Sequence, residues 1–541
     1  MSSLLDLILP GVAASRAEAR LRATRARARA RATERAVEVA EQHYGRRRYE
    51  AAARGRRTDG WRTSPSSAVA EIGPALALLR DRSRDLVRNN PWAKKAIGVH
   101  EARTVGTGIV PTPAVPDGAA SGLRRDGAEL AARWKGWAET TECDAAGRTN
   151  LYGLQALAQR SVGEAGEALV RRRWRRTSDG LTVPLQLQLL EPDHLDLSKT
   201  EPLKSGNHVL QGVEFNKIGR RVAYWMHREH PGGSIYGLRT RSYGEPVRVP
   251  ASEVLHIFRS ERIGQVRGVP WGASCLLKLR DFDDYDDATL LRQKIAACFA
   301  AFVRDIDSTI GEDSSLQKDA SGRRIDEIEP GMVQELGPGQ DVTFSSPPPA
   351  MGFRDYSEIT LHAIAAGYGV TYEALSGDLS RVNFSSGRMG WLEMEAAIRT
   401  WRRNEFIPQF CQGVWGWFLD GALLAGHADA RVPARWTPPR REMLDPLKEV
   451  KALREAVRSG FTSLSDALRS LGHDPEEVLE ELKSDLDLLD KLGIELDSDP
   501  RKGGAATAGG QGERGLAGAL CEAVLGALEE SAQLGDDPGG Q

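Results

Sequence analysis

The chain has 541 residues, 40% hydrophobic and 27% charged, which is too long for one core and predicts roughly two to four modules. No segment reaches the ~18 apolar residues that a membrane span needs. The opening MSSLLDLILPGVAA lacks a basic region and contains Asp6, which argues against a secretory signal.

Charge is unevenly distributed along a chain whose formal net charge is only −2. Residues 1–60 contain 14 arginines, no lysine and 7 acidic residues, a net charge of +7. Residues 441–541 contain 11 basic and 22 acidic residues, a net charge of −11. This difference predicts that the two ends have different partners.

Five cysteines are scattered along the chain without a C-x-x-C pair. They are Cys143, Cys275, Cys298, Cys411 and Cys521. An odd number of dispersed cysteines is typical of a reducing intracellular compartment. We therefore expect a soluble cytoplasmic protein.

The first predicted element is an exposed helix in RATRARARARATERAVEVAEQ, followed by a looser basic arm up to residue 57. A solvated helix with a linker is the favoured interpretation, although arginine forks also suit phosphate oxygens. Serine and proline at residues 64–67 predict a capped helix start, where the folded part begins.

Helices and strands are then predicted in alternation. The NNP at residues 89–91 predicts a break and a new helix, and GTG at 106–108 ends that helix before the strand-like IVPTP. Residues 129–139 and 151–170 have helical patterns. From residue 185 to 258 the hydrophobic period becomes two, which predicts strands joined by polar turns. Three tryptophans are predicted packing anchors: Trp134, Trp137 and Trp174.

Residues 271–304 predict one helix of about 48 Å, because no Gly or Pro occurs between Gly272 and residue 304. Its second half has apolar residues at helical spacing, at Leu291, Ile295, Phe299 and Phe302. Its first half carries five aspartates, Asp281, Asp283, Asp284, Asp286 and Asp287. At about 100° per residue, Asp283, Asp284 and Asp287 fall on one side of this helix.

A compact α/β insert is predicted between this helix and a shorter one at residues 356–369. The insert is polar at 305–324 and then predicts two short strands around GPG at 337–339. Residues 375–391, LSGDLSRVNFSSGRMGW, predict a loop. The helix behind the loop has Trp391, Met394, Ile398 and Trp401 on one face, until Pro408 kinks or ends it.

The C-terminal part predicts helix starts at the Asp-Pro pairs of residues 445–446 and 474–475, and a helix stop at Gly460. Beyond Asp497 the chain is Gly- and Ala-rich with acidic residues. This composition predicts a mobile tail, with a possible short helix at 516–528.

Two groups of residues suggest metal chemistry. Clustered carboxylates are used by two-metal nucleases, but a solvated acidic helix face explains DFDDYDD more simply. The HREH at residues 227–230 has metal-like spacing, yet scattered surface histidines are the favoured interpretation. Nucleotide-binding and hydrolase motifs are missing from the sequence. We therefore predict no enzyme, no cofactor and no metal site.

Several motifs, in order, resemble the lambda-type portal proteins of tailed bacteriophages. They are RDL and RNNP within 84–91, VGTGI at 105–109, EPDHLD at 191–196, GVEF and GRRVAYW within 212–225, and VPASEVLHIFRSERIGQVRGVPWGAS at 249–274. The loop at 375–391, the helix after it and the WTPP series from residue 436 are similar to the same family. The resemblance covers about residues 60–485, and its specificity comes from many motifs in a fixed order.

The resemblance implies an α+β portal fold with an α/β wing, paired stem helices, a small α/β clip, a long kinked helix and a helical crown. The implied segments are an Arg-rich arm at 1–64, the wing at 65–270, the first stem helix at 271–304, the clip at 305–353, the second stem helix at 354–370, the tunnel loop at 371–387, the long kinked helix and wing return at 388–435, the crown at 436–490 and an acidic tail at 491–541.

The resemblance also implies a ring, expected to be a dodecamer, at one capsid vertex of the virion, assembled in the host cytoplasm. Double-stranded DNA would pass through its channel, and no membrane would be involved. The expected protein partners are the terminase large subunit, a head–tail adaptor, and the major capsid and scaffolding proteins. Clip residues expected to dock the terminase are Asp326, Glu327, Glu329, Glu335 and Asp341.

An acidic wall would repel DNA and keep it sliding, whereas many arginines would hold it. Channel-lining aspartates are therefore expected among Asp281, Asp283, Asp284, Asp286 and Asp287. The loop residues Arg381, Asn383 and Arg388 are expected to line the channel at its narrowest part and touch DNA there, with Gly377 and Gly387 as loop hinges. The aspartates are almost equally expected to pair with arginines of neighbouring subunits. Two other functions stay open: a DNA-binding protein using its Arg-rich arm, and a metal-dependent nuclease using the aspartates.

Overall fold

The computed structural model describes residues 10–45, 55–61, 63–114, 121–233, 244–297, 301–305, 340–344, 352–426, 432–440 and 445–494, with the single positions 52, 443, 496 and 501. The chain divides into two compact units, residues 1–66 and residues 67–541.

The first unit contains helix α1 (Pro10–Gly45), which confirms the predicted exposed basic helix. Every described side chain in α1 is exposed. A helix with charges on all sides lacks an apolar stripe that would pack on a core. Arg22 and Glu18, one turn apart, form an exposed ion pair of 3.5 Å.

The second unit begins with helices α2 (Ala68–Asn89) and α3 (Pro91–Thr104) and strand β1 (Val110–Pro113). Ser67 caps α2 by accepting the Ala70 N–H, as the sequence predicts. Asn90 caps α3 by accepting the Ala93 N–H, and Pro91 occupies its first position. The predicted break at residues 89–91 is therefore confirmed.

The GTG turn between α3 and β1 needs its glycines. Gly106 and Gly108 have φ angles of +50° and +131°. A β-carbon at Gly108 would lie 2.4 Å from the ring of Tyr152. Only glycine satisfies both the backbone conformation and this close approach.

Helices α4 (Ser121–Ala138) and α5 (Leu151–Ala165) precede strands β2 (Glu167–Trp174) and β3 (Leu185–Leu190). The predicted continuation of α5 to residue 170 is wrong. Gly166, with φ +90°, caps α5 and turns the chain into β2. A β-carbon at Gly166 would lie 2.6 Å from the Val269 backbone, so the turn also permits close chain packing.

The predicted tryptophan anchors differ in burial. Trp134 and Trp137 are 3% and 0% exposed, and the Trp137 indole donates to the Leu185 carbonyl oxygen at 2.9 Å. Trp174, at the end of β2, is 36% exposed, so its prediction as a core residue is wrong. The Arg172 guanidinium lies 5.1 Å from its ring centroid instead.

The strands predicted between residues 185 and 258 are confirmed. Strands β4 (Glu201–Pro202), β5 (His208–Leu210), β6 (Val213–Phe215), β7 (Arg221–Met226) and β8 (Val247–Pro250) pair in sequence order as an antiparallel sheet. Strand β9 (Val254–Phe258) joins a second antiparallel sheet, in which β2 lies between β3 and β9.

Helix α6 (Leu276–Ala297) is shorter than the predicted helix at residues 271–304. Residues 271–275 form turns, and strand β10 (Ala301–Asp305) pairs antiparallel with β11 (Gln340–Phe344). Phe302 and Val303, opposite Thr343 and Val342, are aromatic and β-branched residues that favour strands. The predicted second strand near 340–344 is confirmed, whereas residues 306–339 lie outside the described part.

Helix α7 (Phe353–Tyr368) confirms the predicted shorter helix and ends at Gly369, with φ +73°. Helices α8 (Tyr372–Ser376) and α9 (Phe384–Trp401) follow. The loop predicted at 375–391 is therefore confirmed only at residues 377–383, because α8 ends at Ser376 and α9 starts seven residues before Trp391. Met394, Ile398 and Trp401 on α9 are buried, as the spacing predicts.

Pro408 lies within a π-helical segment (Arg402–Cys411) that continues from α9 into α10 (Gln412–Leu424). Proline has no N–H and clashes with the preceding turn of a regular α-helix. The wider π-helical turn accommodates it. The proline thus distorts the helix without ending it.

Strand β12 (Ala434–Thr437) pairs antiparallel with β1, and helices α11 (Pro446–Arg458), α12 (Leu464–Ser470) and α13 (Pro475–Leu492) follow. Asp445 and Asp474 cap α11 and α13, and Gly460, with φ +74°, follows α11. Both predicted helix starts and the predicted stop are confirmed. The predicted helix at 516–528 lies outside the described residues.

Within the described part of the second unit, buried side chains form three hydrophobic cores. One joins α4, α5, β2, β3 and α10 around Trp137, Phe406 and Phe418. Another joins α2, α3, α6, α7, α8 and α9, with Leu279, Ile364 and Ile398 at its centre. A third, including Leu169 and Tyr224, lies between the two larger sheets. The second core fixes the helix that carries the aspartates.

Candidate functional site

The aspartates of α6 fall into two groups by environment. Asp283 is half-buried, and its Oδ1 accepts a hydrogen bond of 2.7 Å from Asn90 Nδ2. Because the Asn90 Oδ1 also caps α3, this contact joins α6 to the α2–α3 break. Asp283 therefore has a structural partner within its own chain.

The other four aspartates are exposed. Asp284 lies 3.1 Å from Arg280 in an exposed pair one turn apart, the kind of contact that stabilises little. Asp281, Asp286 and Asp287 form no hydrogen bond or ion pair with any described residue. The stretch of α6 from residue 281 to 287 therefore contains no basic residue, and only one of its four exposed carboxylates forms an ion pair with a described residue.

Helices α6 and α7 are held together by apolar and aromatic contacts. Tyr285 stacks on Phe353, with ring centroids 5.8 Å apart, and meets Tyr356 edge-on at 4.6 Å. Phe282, between Asp281 and Asp283, is 5% exposed. The acidic stretch is thus carried on a helix whose apolar side is anchored.

The three polar residues predicted near the loop have separate environments. Arg381 is exposed and pairs with Glu358 of α7 at 2.7 Å. Asn383 caps α9, because its Oδ1 accepts the Ser386 N–H at 2.8 Å. Arg388 lies within α9 and is half-buried. The structure does not bring these side chains into one cluster.

Arg388 lies near the start of α11. The hydrogen bond from Lys448 lowers the pKa of Asp445 below its ordinary value, and Arg388 adds a smaller effect of the same sign. Arg388 therefore belongs to the surroundings of a helix cap rather than to a loop.

The two glycines predicted as loop hinges also differ. Gly377 caps α8 with φ +74°, a conformation that glycine adopts readily. Gly387 is helical, and a β-carbon there would lie 2.7 Å from Val382 Cγ1. The prediction of a hinge at Gly387 is wrong, since this glycine permits close packing within a helix.

The predicted docking residues are mostly outside the described part of the chain. Asp326, Glu327, Glu329 and Glu335 lie there. Asp341 lies on β11, in register with Arg304 of β10.

The structure contains a buried ion network centred on Glu167 that the sequence did not predict. Glu167 and Arg267 are both 0% exposed, and Arg267 Nε donates to Glu167 Oε1 at 2.9 Å. Arg80 Nη2 and His256 Nε2 approach the same carboxylate at 2.8 and 2.7 Å. Burial alone would raise the pKa of Glu167, but the Arg267 charge and the His256 contact outweigh it and lower that pKa.

This network joins α2, β2, β9 and the segment before α6. The sequence hides it because Glu167 lies in a stretch with a helical pattern and its partners are 87 to 100 residues away. An acid beside the apolar run ALV was the one available signal.

The Glu191, Asp193 and His230 side chains form the one group with metal-like geometry among the described residues. Arg84 Nη2 donates to Glu191 at 2.8 Å and to Asp193 at 2.5 Å. The carboxylates are thus already paired with a guanidinium. The aspartates of α6 form no such group. Their arrangement therefore does not favour the function of a metal-dependent nuclease.

Three thiols, Cys143, Cys275 and Cys411, are buried and free. Burial raises the pKa of Cys143 to about 12 and of Cys275 to about 11, so neither is a reactive thiolate near neutral pH. No described helix is both long and apolar enough to span a bilayer.

Comparison with known proteins gives a consistent set of relatives. The model of the lambda family of phage portal proteins matches residues 54–402. The chain is 27% identical over 470 residues to the probable portal protein of Halomonas phage phiHAP-1, covering 83% of this chain and 88% of that protein.

The portal proteins of Escherichia phages N15 and lambda are each 23% identical to this chain. Both matches cover 77% of it, and they span 86% and 85% of the two relatives. Among solved structures, a chain from the neck of a native gene transfer agent particle, determined with C12 symmetry, is 14% identical. That match has a TM-score of 0.42 and covers 76% of this chain and 95% of the other.

Proposed function

Since this chain belongs to the lambda family of phage portal proteins, we propose that the exposed aspartates of α6 line the channel of its ring and keep double-stranded DNA sliding. A portal protein is a structural, ring-forming component of the capsid vertex and not an enzyme. Genome packaging and ejection are accordingly its functions in the virion.

The channel proposal rests on the exposure of four aspartates of α6 and on how few of them form ion pairs with described residues. Four aspartates within seven residues are exposed, and among the described residues only Arg280 forms an ion pair with one of them. Charges within about 8–10 Å act on one another at physiological salt. A ring would repeat this stretch in every subunit, so a duplex near the wall would meet repeated negative charge and bind weakly.

Asp283 is proposed to have a different task from its neighbours. Its hydrogen bond to Asn90 supports a role in fixing α6 rather than in meeting DNA. Arg381 is proposed as a DNA contact, since an exposed pair such as Arg381–Glu358 exchanges for a phosphate at little cost. Asn383 and Arg388 are weaker candidates, because one caps α9 and the other lies within it.

The segment roles remain part of the proposal. Residues 65–270 would form the wing, α6 and α7 the stem, residues 305–353 the clip, residues 371–387 the tunnel loop and residues 436–490 the crown. The ring would be a dodecamer assembled in the host cytoplasm with the major capsid and scaffolding proteins. The clip would dock the terminase large subunit and later the head–tail adaptor, through Asp326, Glu327, Glu329, Glu335 and Asp341.

Imaging of the purified protein tests the ring directly. We expect negative-stain images of rings with a central hole, both for the full chain and after deletion of residues 1–60. A protein that uses the Arg-rich arm for its main function would lose DNA affinity on that deletion and show no ring. Metal-dependent cleavage of DNA by the purified chain would instead support the nuclease reading.

A further inference from the structure

A cleft of about 840 Å³ lies between the end of α3, helix α9 with the π-helical segment, strand β12 and helix α12. Of the residues that the structure describes, seven arginines line it, with no lysine or histidine, against two carboxylates. The lining therefore carries a net charge of +5. None of these residues belongs to the acidic stretch of α6, so this surface is separate from the proposed channel wall.

Two of the arginines are used within the fold. Arg402 is 8% exposed, donates from Nε to the Thr104 carbonyl oxygen at 2.9 Å and lies 3.5 Å from Glu395. Arg469 pairs with Asp466 at 3.1 Å. These two pairs engage both carboxylates of the cleft.

The other five arginines form no ion pair with a carboxylate among the described residues. With the described part of the chain, their side chains form neither an ion pair nor a hydrogen bond; they are Arg103, Arg399, Arg403, Arg435 and Arg440. The Arg103 guanidinium lies 5.8 Å from the ring centroid of Trp391. Like charges that share a cleft repel one another, and a bound anion relieves that repulsion.

The cleft also offers donors and aromatic surface. Trp391 and Trp436 line it. The Trp436 indole N–H and the Arg469 Nε–H are buried and have no acceptor among the described residues. A ligand rich in hydrogen-bond acceptors would satisfy both groups.

We propose that this cleft binds the phosphate backbone of a nucleic acid strand. Guanidinium groups match phosphate oxygens in a bidentate geometry, and the exclusive use of arginine fits that match. The arginines come from four separate chain segments, which suits an extended ligand with repeated charges. Arginine beside tryptophan is the composition of surfaces that hold phosphates and stack bases.

This proposal goes beyond the passage of DNA through a channel. The acidic stretch of α6 would repel the duplex, whereas the arginine cleft would hold a segment of nucleic acid at a fixed place on each subunit. An acidic protein segment is the competing ligand, but it makes no use of the tryptophan faces.

The test uses the full-length protein and a short fluorescent single-stranded DNA oligonucleotide, with binding followed by anisotropy over a range of salt concentrations. The cleft variant combines Arg399→Ala, Arg403→Ala and Arg435→Ala, which are exposed positions without ion pairs. The matched control combines Arg148→Ala, Arg220→Ala and Arg228→Ala, also exposed and unpaired with described residues. Both proteins keep the Arg-rich arm, so its contribution to binding is the same in each.

We expect the cleft variant to bind DNA about ten- to a hundred-fold more weakly than the control. The slope of log affinity against log salt should be shallower by about 2 to 3, close to one released counterion per lost phosphate contact. Equal binding and equal slopes in the two variants would overturn the proposal. If the triple variant fails to form rings in negative-stain images, the single variant Arg403→Ala is tested instead. It should make the slope of log affinity against log salt shallower by about 1, and an unchanged slope would also overturn the proposal.

Two competitors distinguish other sources of negative charge. Inorganic phosphate should displace the oligonucleotide no better than chloride at equal ionic strength, whereas strong displacement would indicate a site for free phosphate. Poly-glutamate should bind the cleft variant and the control alike. If the cleft variant bound poly-glutamate more weakly than the control but bound DNA equally well, the cleft would be assigned to an acidic protein. That result would contradict the proposal.

Discussion

The Glu167 network and the acidic stretch of α6 place carboxylates in opposite surroundings. Glu167 is fully buried, and two arginines and a histidine contact its oxygens. Asp281, Asp286 and Asp287 are exposed and unpaired with any described residue. A buried carboxylate needs partners because losing its hydration costs several kcal/mol, whereas exposed carboxylates keep their hydration and act at a distance on other charges.

The contrast separates the residues that hold the fold from those available for function. The buried network joins α2, β2, β9 and the chain leading into α6, so its loss should affect folding. The exposed aspartates support no described contact beyond Arg280, so their loss should affect only what approaches the ring.

The largest effect is expected from Glu167→Ala. Removal of this side chain leaves Arg267 and Arg80 buried without a carboxylate partner, and breaking such a pair costs about 3–5 kcal/mol or more. We expect a large fall in the midpoint of thermal unfolding, or no folded protein. Asp287→Ala is the exposed comparison and should leave the midpoint nearly unchanged. Similar midpoints for both variants would mean that the network does not hold the fold.

A pH-dependent loss of stability is expected from His100. Burial lowers the pKa of His100 to about 4, while its Nε2 lies 2.7 Å from the Tyr368 carbonyl oxygen. Between about pH 6.5 and 4 the unfolded chain takes up a proton that the folded chain does not. Stability should therefore fall over that window by on the order of 3 kcal/mol, and no further below it.

The His100→Gln variant tests this contribution. Its unfolding midpoint should change less between pH 7 and pH 5 than that of the parent, although His256, whose pKa is also about 4, keeps part of the dependence. His208→Gln, at an exposed position, should follow the parent. A His100→Gln profile parallel to the parent's would show that this histidine does not contribute.

A smaller effect should separate Asp283 from its neighbours. Asp283→Ala leaves the buried Asn90 amide without its acceptor, which should cost about 1–2 kcal/mol. Asp286→Ala should cost close to nothing. Chemical denaturation of the two variants at one protein concentration measures both free energies of unfolding. Equal losses of that free energy would show that the Asp283–Asn90 hydrogen bond does not stabilise the fold.

The sequence predicts the local features whose signals lie within a few residues. The caps at Ser67, Asn90, Asp445 and Asp474 follow from short polar and proline patterns, and all four occur. The strands between 185 and 258 follow from their period of two. The aspartates of α6 were found because they are adjacent in the chain.

Features that depend on distant partners were not predictable in this way. The end of α6 was missed because Phe302 fits both a helical spacing and a strand, and its pairing with β11 decides between them. The half-buried state of Asp283 depends on Asn90, 193 residues away. The start of α9 at Phe384 was hidden by a run of Ser, Gly and Asn in which Asn383 acts as a cap.

The central claim is that the exposed aspartates of α6 keep DNA sliding, and the rate of genome packaging tests it most directly. We compare Asp284→Asn with Asp286→Asn and Asp287→Asn in one chain against a control with Asp81→Asn, Asp485→Asn and Asp487→Asn, three other exposed aspartates. Rings should form in both, packaging should be slower only in the α6 variant, and lysine at the same three positions should slow it further. Equal packaging rates for all of these rings would contradict the account.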